Sequence, residues 1–384
     1  MSSAALHGFL RPAVIGSLVV VCFLGTLLMY YTPITISLPC PADQASQKGK
    51  AFCACPGVQQ ERNQTQVPNQ TPKTHDQHAQ TQAEDGDKDT IVLIWMWPFG
   101  FKFDLHSCAS FDNIKGCRLT ANRSLYQKAN VVMFHHRNIA TNLEDMPQEP
   151  RPWFQKWVWY NMESPTYTNR IPGLDHLFNL TASYRLSSDI YVPYGLLVEV
   201  TSDDKIFELP KKDKLVCWVV SHWNTNHKRV SVFNELNKHV KVETFGRHFG
   251  KYIEDKGQIV SSCKFYLAFE NSVHQDYMTE KLFNTLMLGA VPVVLGPPRQ
   301  NYEAVVPGDS FIHVDDFSSQ KELADRLLFL DKNDNEYLKY FSWRRNFKVQ
   351  GGQFGNEHAC RSCGYVQKNK GYRVFHNFNT WFWG

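Results

Sequence analysis

The sequence has too little net charge for a nucleic-acid-binding protein. Its 41 Lys and Arg residues against 37 Asp and Glu residues leave a formal charge of +4 over 384 residues, and no arginine-rich run is present. Binding to a phosphate backbone needs basic residues concentrated on one surface. We therefore exclude nucleic acid as a partner.

The common glycine-rich nucleotide motifs are also missing. Neither G-x-G-x-x-G nor G-x-x-x-x-G-K-[ST] occurs, so a dinucleotide site of the Rossmann type and a P-loop lose their main support. One Asp-x-Asp pattern, which in some enzymes holds a metal-bound nucleotide, is present at Asp85–Asp87. It lies in a segment almost free of large apolar residues, so we interpret it as a solvated charge run.

A long apolar run is present near the N-terminus. Residues 13–31 carry no charge, and at 1.5 Å per residue a helix of that length spans about one bilayer. We expect a retained transmembrane signal-anchor, with residues 1–12 and their one formal charge, Arg11, in the cytosol. A cleaved signal peptide is the alternative, but the run is long for one and no small-x-small cleavage site follows closely.

Cysteines and sequons agree with a lumenal location for the rest of the chain. Four Asn-x-Ser/Thr sites follow the apolar run, at Asn63, Asn69, Asn122 and Asn179. An even number of cysteines in a lumenal domain favours disulfides, and six of the ten fall in the globular part: Cys108, Cys117, Cys217, Cys263, Cys360 and Cys363. Cys360 and Cys363 also form a C-x-x-C after a histidine, but no second C-x-x-C exists there to complete a zinc site.

Residues 32–88 are predicted to be a disordered stalk. They are rich in Gln, Thr, Asn and Pro, and such a segment cannot bury enough apolar surface to offset the entropy lost on ordering. The stalk contains Cys40, Cys53 and Cys55, and these cysteines suit an intermolecular bridge and a homodimer through the anchor or stalk.

Apolar runs and helical patterns alternate from Thr90 onwards, which predicts an α/β fold with two mostly parallel sheets. We expect one domain over residues 89–212 and a second over residues 213–349, with a long helical region at about 318–343. The predicted strands are Thr90–Trp95, Asn130–Phe134, Trp157–Tyr160, Phe178–Tyr184, Ile190–Val192, Leu215–Val220, Val240–Thr244, Phe265–Phe269, Ala290–Leu295 and Phe311–Val314.

The stretch from Lys264 to Gly296 predicts a βαβ unit with polar groups where its first strand meets the helix. Thr279 or Asp276 is expected to cap the helix, and Gly289 to end it. Ligands of open α/β sheets bind in such a crevice, and a helix N-terminus favours anions.

Three groups of residues are candidates for chemistry, each with a structural alternative. Glu163 follows a buried strand rich in Trp and Tyr, which suits a general base with a raised pKa or a turn cap. Arg229 and Lys281 each lie near the start of a predicted helix. They either bind a diphosphate together or are ordinary surface residues. Glu270 and Asn271 suit a sugar hydroxyl or a cap network.

Several blocks closely resemble the Golgi α-1,3-fucosyltransferase family. The longest is FENSVHQDYMTEKLFNTLMLGAVPVVLG, and WPFGFKFDLHSC, FHHRNI and NMESP match further blocks. The resemblance covers about residues 90–384. It implies a GT-B fold, in which two Rossmann-like domains face each other across a cleft, the first taking the acceptor and the second GDP-fucose. The C-terminal tail, residues 350–384, would pack back on the first domain.

The resemblance also implies a reaction and roles for individual residues. An inverting enzyme would transfer L-fucose from GDP-β-L-fucose to O3 of GlcNAc in Galβ1-4GlcNAc (type 2) termini of glycoproteins and glycolipids, making Lewis x. Glu163 would be the catalytic base, and His136 and Arg137 would bind acceptor, with arginine favouring type 2 chains. The donor would be bound by Arg229, Lys281, Glu270, Asn271, Tyr277, Glu280, Trp343 and Arg344, and the implied disulfides are Cys108–Cys360, Cys117–Cys363 and Cys217–Cys263.

The same resemblance sets the expected location and cofactors. The chain would be a single-pass type II protein of the Golgi membrane with a lumenal catalytic domain. No tightly bound metal is expected, because arginine and lysine can neutralise the diphosphate; stimulation of turnover by Mn²⁺ is compatible with this expectation. A related transferase with another nucleotide sugar, and a glycan-binding protein without turnover, are the alternatives. The Asn122 sequon and the three stalk cysteines depart from the family pattern.

Overall fold

The computed structural model describes residues 89–384, except residues 107, 110 and 112. The predicted anchor, the stalk with its cysteines, and the sequons Asn63 and Asn69 lie outside these residues. Within the described part of the chain, no helix has both the length and the apolarity needed to cross a membrane.

Residues 90–191 form a six-stranded, all-parallel sheet. Its strands are β1 (Thr90–Ile94), β2 (Cys117–Thr120), β3 (Val131–His135), β4 (Lys156–Asn161), β5 (Leu180–Ser183) and β6 (Ile190–Tyr191), in the order β2-β1-β3-β4-β5-β6. The central strands are buried along their whole length, as expected for a parallel sheet covered on both faces.

A second parallel sheet lies in residues 214–313. Its strands are β8 (Lys214–Val219), β9 (Val242–Phe245), β10 (Cys263–Phe269), β11 (Val291–Leu295) and β12 (Ile312–His313), in the order β12-β11-β10-β8-β9. The expected α/β class with two parallel sheets is therefore confirmed.

An antiparallel ribbon, which the sequence did not reveal, pairs β7 (Gly195–Glu199) with β13 (Phe347–Gly351). It brings the chain back from the second sheet to the first. A Cβ at Gly195 would lie 2.5 Å from the Phe283 ring, so only glycine permits this close approach.

The helices of the described residues cover both sheets. They are α1 (Lys228–Leu236), α2 (Lys256–Ser262), α3 (Glu280–Met287), α4 (Arg299–Glu303), α5 (Gln320–Asp331), α6 (Asp334–Leu338), α7 (Asn356–Lys368) and α8 (Phe378–Trp383). Alternate residues of β8 show the two-sided burial: Val216 and Trp218 pack into one core and Cys217 into another.

The long helix expected at 318–343 is not continuous, which corrects the prediction. It divides into α5, α6 and a 3₁₀ segment, Lys339–Arg345. Asn333 marks the first break: its side-chain amide donates to the Phe329 carbonyl at 2.7 Å, a local hydrogen bond that competes with helix continuation.

Three disulfides link the pairs that the resemblance implied. Cys108–Cys360 and Cys117–Cys363 join α7 to the first sheet, and Cys217–Cys263 joins β8 to the start of β10. Because α7 also packs against β1, the C-terminal tail belongs to the core of the first sheet.

Candidate active site

In both sheets the order in which strands are added reverses at one point, and this reversal creates a binding crevice. In the first sheet β2 and β3 lie on opposite sides of β1, and in the second β9 and β10 lie on opposite sides of β8. Ligands of open α/β sheets bind beyond the carboxyl ends of the strands at such switch points. The predicted site residues follow these strands or their neighbours.

Glu163 lies two residues beyond β4, in a half-buried position. The turn is held by Asn161, whose side-chain oxygen accepts from the Glu163 amide at 3.3 Å. Burial raises the pKa of the Glu163 carboxyl above its ordinary value, while the positive charges of Arg137 and Lys281 oppose the shift. A carboxylate with a raised pKa near two cations has the properties of a general base.

The segment after Glu163 is hydrogen-bonded to the loops of the second sheet. The hydroxyls of Ser272 and Ser164 bond each other at 2.7 Å, and Thr166 bonds His274 at 2.6 Å. Tyr167, the residue after Thr166, bonds His227 at 2.8 Å.

These three contacts place Glu163 beside the loops after β8 and β10. The base candidate and the donor-site candidates thus belong to one site.

Arg229 lies in the first turn of α1 and is 6% exposed. Its guanidinium donates to the His222 carbonyl, and its Nε is buried without a hydrogen-bond partner among the described residues. Burial lowers its pKa, and Tyr167 and Glu270 oppose the shift. An arginine remains charged even when buried, so the unpaired N–H points to an anionic ligand.

Lys281 lies at the N-terminus of α3 and is anchored by a buried carboxylate. Its Nζ is 2.9 Å from Glu270 and 2.7 Å from the Thr279 hydroxyl. Burial alone would lower its pKa, but Glu270 and Glu280 raise it above the ordinary value. Thr279, not Asp276, caps the helix, with its hydroxyl accepting from the Lys281 amide.

Three further donor-site candidates surround this pair. Glu280 is beside Lys281 in the first turn, where burial would raise its pKa but Lys281 and Lys256 lower it. Asn271 accepts from Ser272 at 3.0 Å. Tyr277 is buried in a cluster with Met162, Tyr184 and Tyr194 that joins the two sheets.

A cavity of about 390 Å³ borders Glu163, and both acceptor candidates line it. His136 is fixed there as a neutral ring: Trp159 donates to its Nδ1 at 3.0 Å, so its Nε2 donates to the Asn169 carbonyl at 2.8 Å. Burial lowers its pKa to about 4. His136 therefore forms a fixed part of the cavity wall, whereas the Arg137 side chain is exposed.

Comparison with known proteins agrees with this arrangement. The sequence model described as "Fucosyltransferase, N-terminal" matches residues 87–195, and "Glycosyltransferase family 10 (fucosyltransferase) C-term" matches residues 209–381. The 4-galactosyl-N-acetylglucosaminide 3-alpha-L-fucosyltransferase 9 of Homo sapiens is 46% identical over 380 residues, covering 98% of each chain. The protein of that name from Canis lupus familiaris is 46% identical over 387 residues, covering all of both chains.

The chain belongs to the glycosyltransferase family 10 fucosyltransferases.

Other similarities are weaker. The 3-galactosyl-N-acetylglucosaminide 4-alpha-L-fucosyltransferase FUT3 of Bos taurus is 42% identical over 313 residues, covering 79% of this chain and 86% of its own. A solved α1,3-fucosyltransferase with GDP-fucose superposes with a TM-score of 0.51 at 18% identity, covering 78% of this chain and 96% of that one. This likeness supports the fold.

Two predicted donor residues of this fucosyltransferase lie elsewhere. Trp343 is buried in the core beneath α3, and Arg344 donates to the Leu286 carbonyl at the C-terminal end of that helix. Lys281 is at the opposite end. Arg344 therefore caps the helix carbonyls and stacks on Phe207 at 3.5 Å, and we do not retain either residue in the donor site.

The two described sequons of the fucosyltransferase differ in access. Asn122 is exposed at the start of a 3₁₀ turn. Asn179 is fully buried, and its amide nitrogen donates to the Arg373 carbonyl at 2.6 Å. Because Asn179 is buried against the C-terminal tail, it cannot carry a glycan while the tail lies in this position.

The sequence missed several residues that position the site. Tyr167, His227 and His274 make the contacts between the sheets, and Lys256 approaches Glu280 from α2. The only available signal was local, since Tyr167 and Thr166 directly follow the recognised N-M-E-S-P block.

Proposed function

We propose that the chain is an inverting α-1,3-fucosyltransferase of the GT-B type. It transfers L-fucose from GDP-β-L-fucose to O3 of GlcNAc in type 2 N-acetyllactosamine termini of glycoproteins and glycolipids, making Lewis x. The observation that carries the proposal is the half-buried Glu163, whose pKa is raised by burial and lowered by the charge of Lys281, with Tyr167 interacting with both Glu163 and Arg229. The names of the most similar relatives agree with it.

The reaction follows from this arrangement. Glu163 removes the proton from the acceptor O3, and that oxygen forms a bond to the anomeric carbon of fucose. The bond from that carbon to the β-phosphate oxygen breaks, and its electron pair leaves with GDP. Attack opposite the leaving group inverts the linkage from β to α, and Arg229 and Lys281 stabilise the charge that develops on the diphosphate.

Acceptor choice is assigned to Arg137. It borders the cavity beside Glu163, and its guanidinium lies 5.5 Å from the Phe99 ring. Type 2 specificity predicts transfer to Galβ1-4GlcNAc and little to Galβ1-3GlcNAc. Arg137→Trp, the residue associated with type 1 chains in the family, should shift this ratio towards Galβ1-3GlcNAc.

The location is proposed from the sequence. The apolar run at 13–31, the stalk and the sequons suit a single-pass type II protein of the Golgi membrane with a lumenal catalytic domain, and the stalk cysteines suit a homodimer. Imaging of the full chain beside Golgi and endoplasmic-reticulum markers tests the location, and non-reducing electrophoresis of a Cys40, Cys53 and Cys55 triple Ala variant tests the dimer.

No observation supports the expected stimulation by Mn²⁺. In the described residues, no group of three or more His, Cys, Asp or Glu side chains is arranged to hold a metal ion. Measuring turnover with EDTA and with added Mn²⁺ tests this expectation directly.

The decisive experiment is Glu163→Gln in a protein without anchor and stalk. A general base typically contributes 10²–10⁴-fold to rate, so we expect transfer to N-acetyllactosamine to fall by about that factor while GDP affinity stays unchanged. Full activity in the variant would refute the role of Glu163. Absence of transfer by the wild type would refute the activity, and inhibition of transfer by UDP but not by GDP would refute the donor.

A further inference from the structure

A basic cavity lies at the amino-terminal edge of the first sheet, away from the active site. Its volume is about 450 Å³, within the range of roughly 300–1,000 Å³ that is usual for small-ligand sites. Lys156, the first residue of β4, and Leu180, the first residue of β5, line it. Glu163 follows the other end of β4, and a strand of this length spans about 17 Å. The cavity is therefore separate from the site of transfer.

The cavity walls carry positive charges that carboxylates do not balance. Among the described residues, the lining includes Lys156, Lys368, Lys370 and Arg373 but no Asp or Glu. Arg373 pairs with Asp189, whereas the three lysines have no carboxylate within ion-pair distance in the described part of the chain. The whole sequence has a formal charge of only +4. Three uncompensated cations in one cavity are thus a strong local concentration of charge.

Lys156 is held in place by backbone carbonyls. It is 5% exposed, and its ammonium donates to the carbonyl of Lys370 at 3.3 Å and to that of Gly371. Burial lowers its pKa, and the positive charge of Lys370 lowers it further. Buried charges in proteins are ordinarily paired with an opposite charge. An anion in the cavity would therefore stabilise the charged form of Lys156.

The walls are fixed by bonds that do not depend on a ligand. Helix α7 ends at the cavity with Lys368 in its last turn, and the disulfides of Cys360 and Cys363 hold this helix against the first sheet. The side-chain amide of the buried Asn179 donates to the Arg373 carbonyl at 2.6 Å on the other wall. A cavity that is already formed avoids the entropy cost of ordering its walls on binding.

A purely structural explanation covers only part of this charge. A lysine in the last turn of a helix interacts favourably with the helix dipole, which accounts for Lys368. Lys370 lies two residues beyond α7, is exposed, and makes no side-chain hydrogen bond or ion pair among the described residues. Tyr365 and Tyr372 also line the cavity, and Tyr372 is 54% exposed. Lysines beside exposed aromatic rings suit a ligand that has both anionic groups and apolar faces.

We propose that this cavity binds an anionic saccharide, whose sulfate or carboxylate groups pair with Lys368 and Lys370 while a sugar ring packs against Tyr372. A concave site with tyrosines in its wall fits a sugar ring better than it fits a flat lipid surface. Because Glu163 lies beyond the other end of β4, a bound saccharide leaves the site of transfer open. The cavity thus gives the fucosyltransferase a second glycan contact that the reaction does not consume.

The test measures binding of a sulfated heparin tetrasaccharide to the full chain in detergent by calorimetry. Replacing both Lys368 and Lys370 by Gln should weaken binding about tenfold, because two ion pairs are lost. Salt at about 1 M should also weaken binding to the wild type, since the screening length falls to about 3 Å. Saturating GDP should not displace the tetrasaccharide, because Arg229 and Lys281 belong to the other site.

A matched control removes the same charge elsewhere. Lys211 and Lys332 are exposed lysines outside the cavity, and replacing both by Gln should leave the affinity for the tetrasaccharide unchanged. Neither lysine pair makes side-chain bonds among the described residues, so both variants should melt at the wild-type temperature. Tyr372→Ala should weaken binding of the tetrasaccharide but not of inorganic sulfate, which separates a saccharide site from a site for any oxyanion.

Four results would overturn the proposal. Equal weakening in the two lysine pairs would show general attraction to positive charge, and displacement by GDP would place the tetrasaccharide in the diphosphate site. Tighter binding of inositol trisphosphate than of the tetrasaccharide at this cavity would assign it to a lipid headgroup. A lower rate of transfer to neutral N-acetyllactosamine in the Lys368 and Lys370 variant would place these lysines in the active site.

Discussion

At the scale of single residues, the site combines ionisable groups that shift one another's pKa. Glu163 is half-buried, and its raised pKa results from desolvation that Arg137 and Lys281 only partly offset. A carboxylate whose pKa is raised by its surroundings is a stronger base than an exposed one. The surroundings, more than the residue type, make this glutamate suited to deprotonate a sugar hydroxyl.

Arg137→Gln should move the acidic limb of the kcat/KM profile to higher pH. The arginine lowers the pKa of Glu163, so its removal raises that pKa, and the base becomes protonated at a higher pH than in wild type. Activity measured from pH 4 to 8 reports the shift, since kcat/KM follows the free enzyme. Lys321→Gln, a distant surface change, should leave the limb in place; an unmoved limb in Arg137→Gln would contradict the assignment.

At the scale of secondary-structure elements, the start of α3 depends on a buried ion pair. Glu270, at the end of β10, accepts from the Thr279 amide at 2.8 Å and from Lys281 at 2.9 Å. Its side chain is 1% exposed. Burial raises its pKa although Lys281 opposes the shift. The start of α3 is therefore tied to a buried carboxylate at the end of β10, and among the described residues Lys281 is the cation that pairs with it.

Lys281→Met should destabilise the fold as well as abolish donor binding. An unpaired buried charge costs about 3–5 kcal/mol. Because Glu270 has a raised pKa in the folded state, the loss is largest at neutral pH and shrinks as acid protonates the carboxyl. Unfolding by urea at pH 7 and pH 5 measures the difference between variant and wild type.

Two further variants complete that test. Glu270→Gln added to Lys281→Met should recover most of the stability without restoring GDP binding. Lys321→Met breaks an exposed pair with Asp325 and should cost under about 0.5 kcal/mol at either pH. A loss for Lys281→Met that is independent of pH would argue against an unpaired Glu270 charge.

At the scale of the whole molecule, two neighbouring disulfides tie the tail to the first sheet across sequence separations of 252 and 246 residues. Their cysteines are close together along the chain at both ends, at 108 and 117 and at 360 and 363. When one bridge is intact, the other closes only a small ring. Each bridge alone is therefore expected to matter much less than the two together.

Replacing either pair by alanine should cost about 3 kcal/mol, whereas replacing all four cysteines should cost about 8 kcal/mol. The first loss frees a ring of roughly 12 residues, and the second frees a loop of about 250. Free energies of unfolding under non-oxidising, non-reducing conditions measure both. The Cys217–Cys263 bridge, with a separation of 46 residues, should cost about 4 kcal/mol by the same relation and act independently. Additive losses for the two tail bridges would contradict the coupling.

The sequence by itself determined the α/β class, the central strands and the start of α3, because these depend on local patterns: apolar runs, the Thr279 cap and Gly289 after the helix. It also supplied Glu163, Arg229 and Lys281 as candidates, through their positions at strand and helix ends and through the resemblance. The prediction of one long helix at 318–343 was wrong. The Asn333 side chain donates a hydrogen bond to the carbonyl of Phe329, in the preceding turn, and hydrophobic periodicity does not reveal such a bond.

Only the tertiary structure decided which of these residues meet. Three features show this: the β7–β13 ribbon, the contacts of Tyr167 and His274 with the opposite sheet, and the position of Arg344 at the far end of α3. Each joins residues that are far apart in the chain, and in the first two cases some of these residues are more than a hundred positions apart. Such contacts depend on how two sheets pack, which no local pattern encodes.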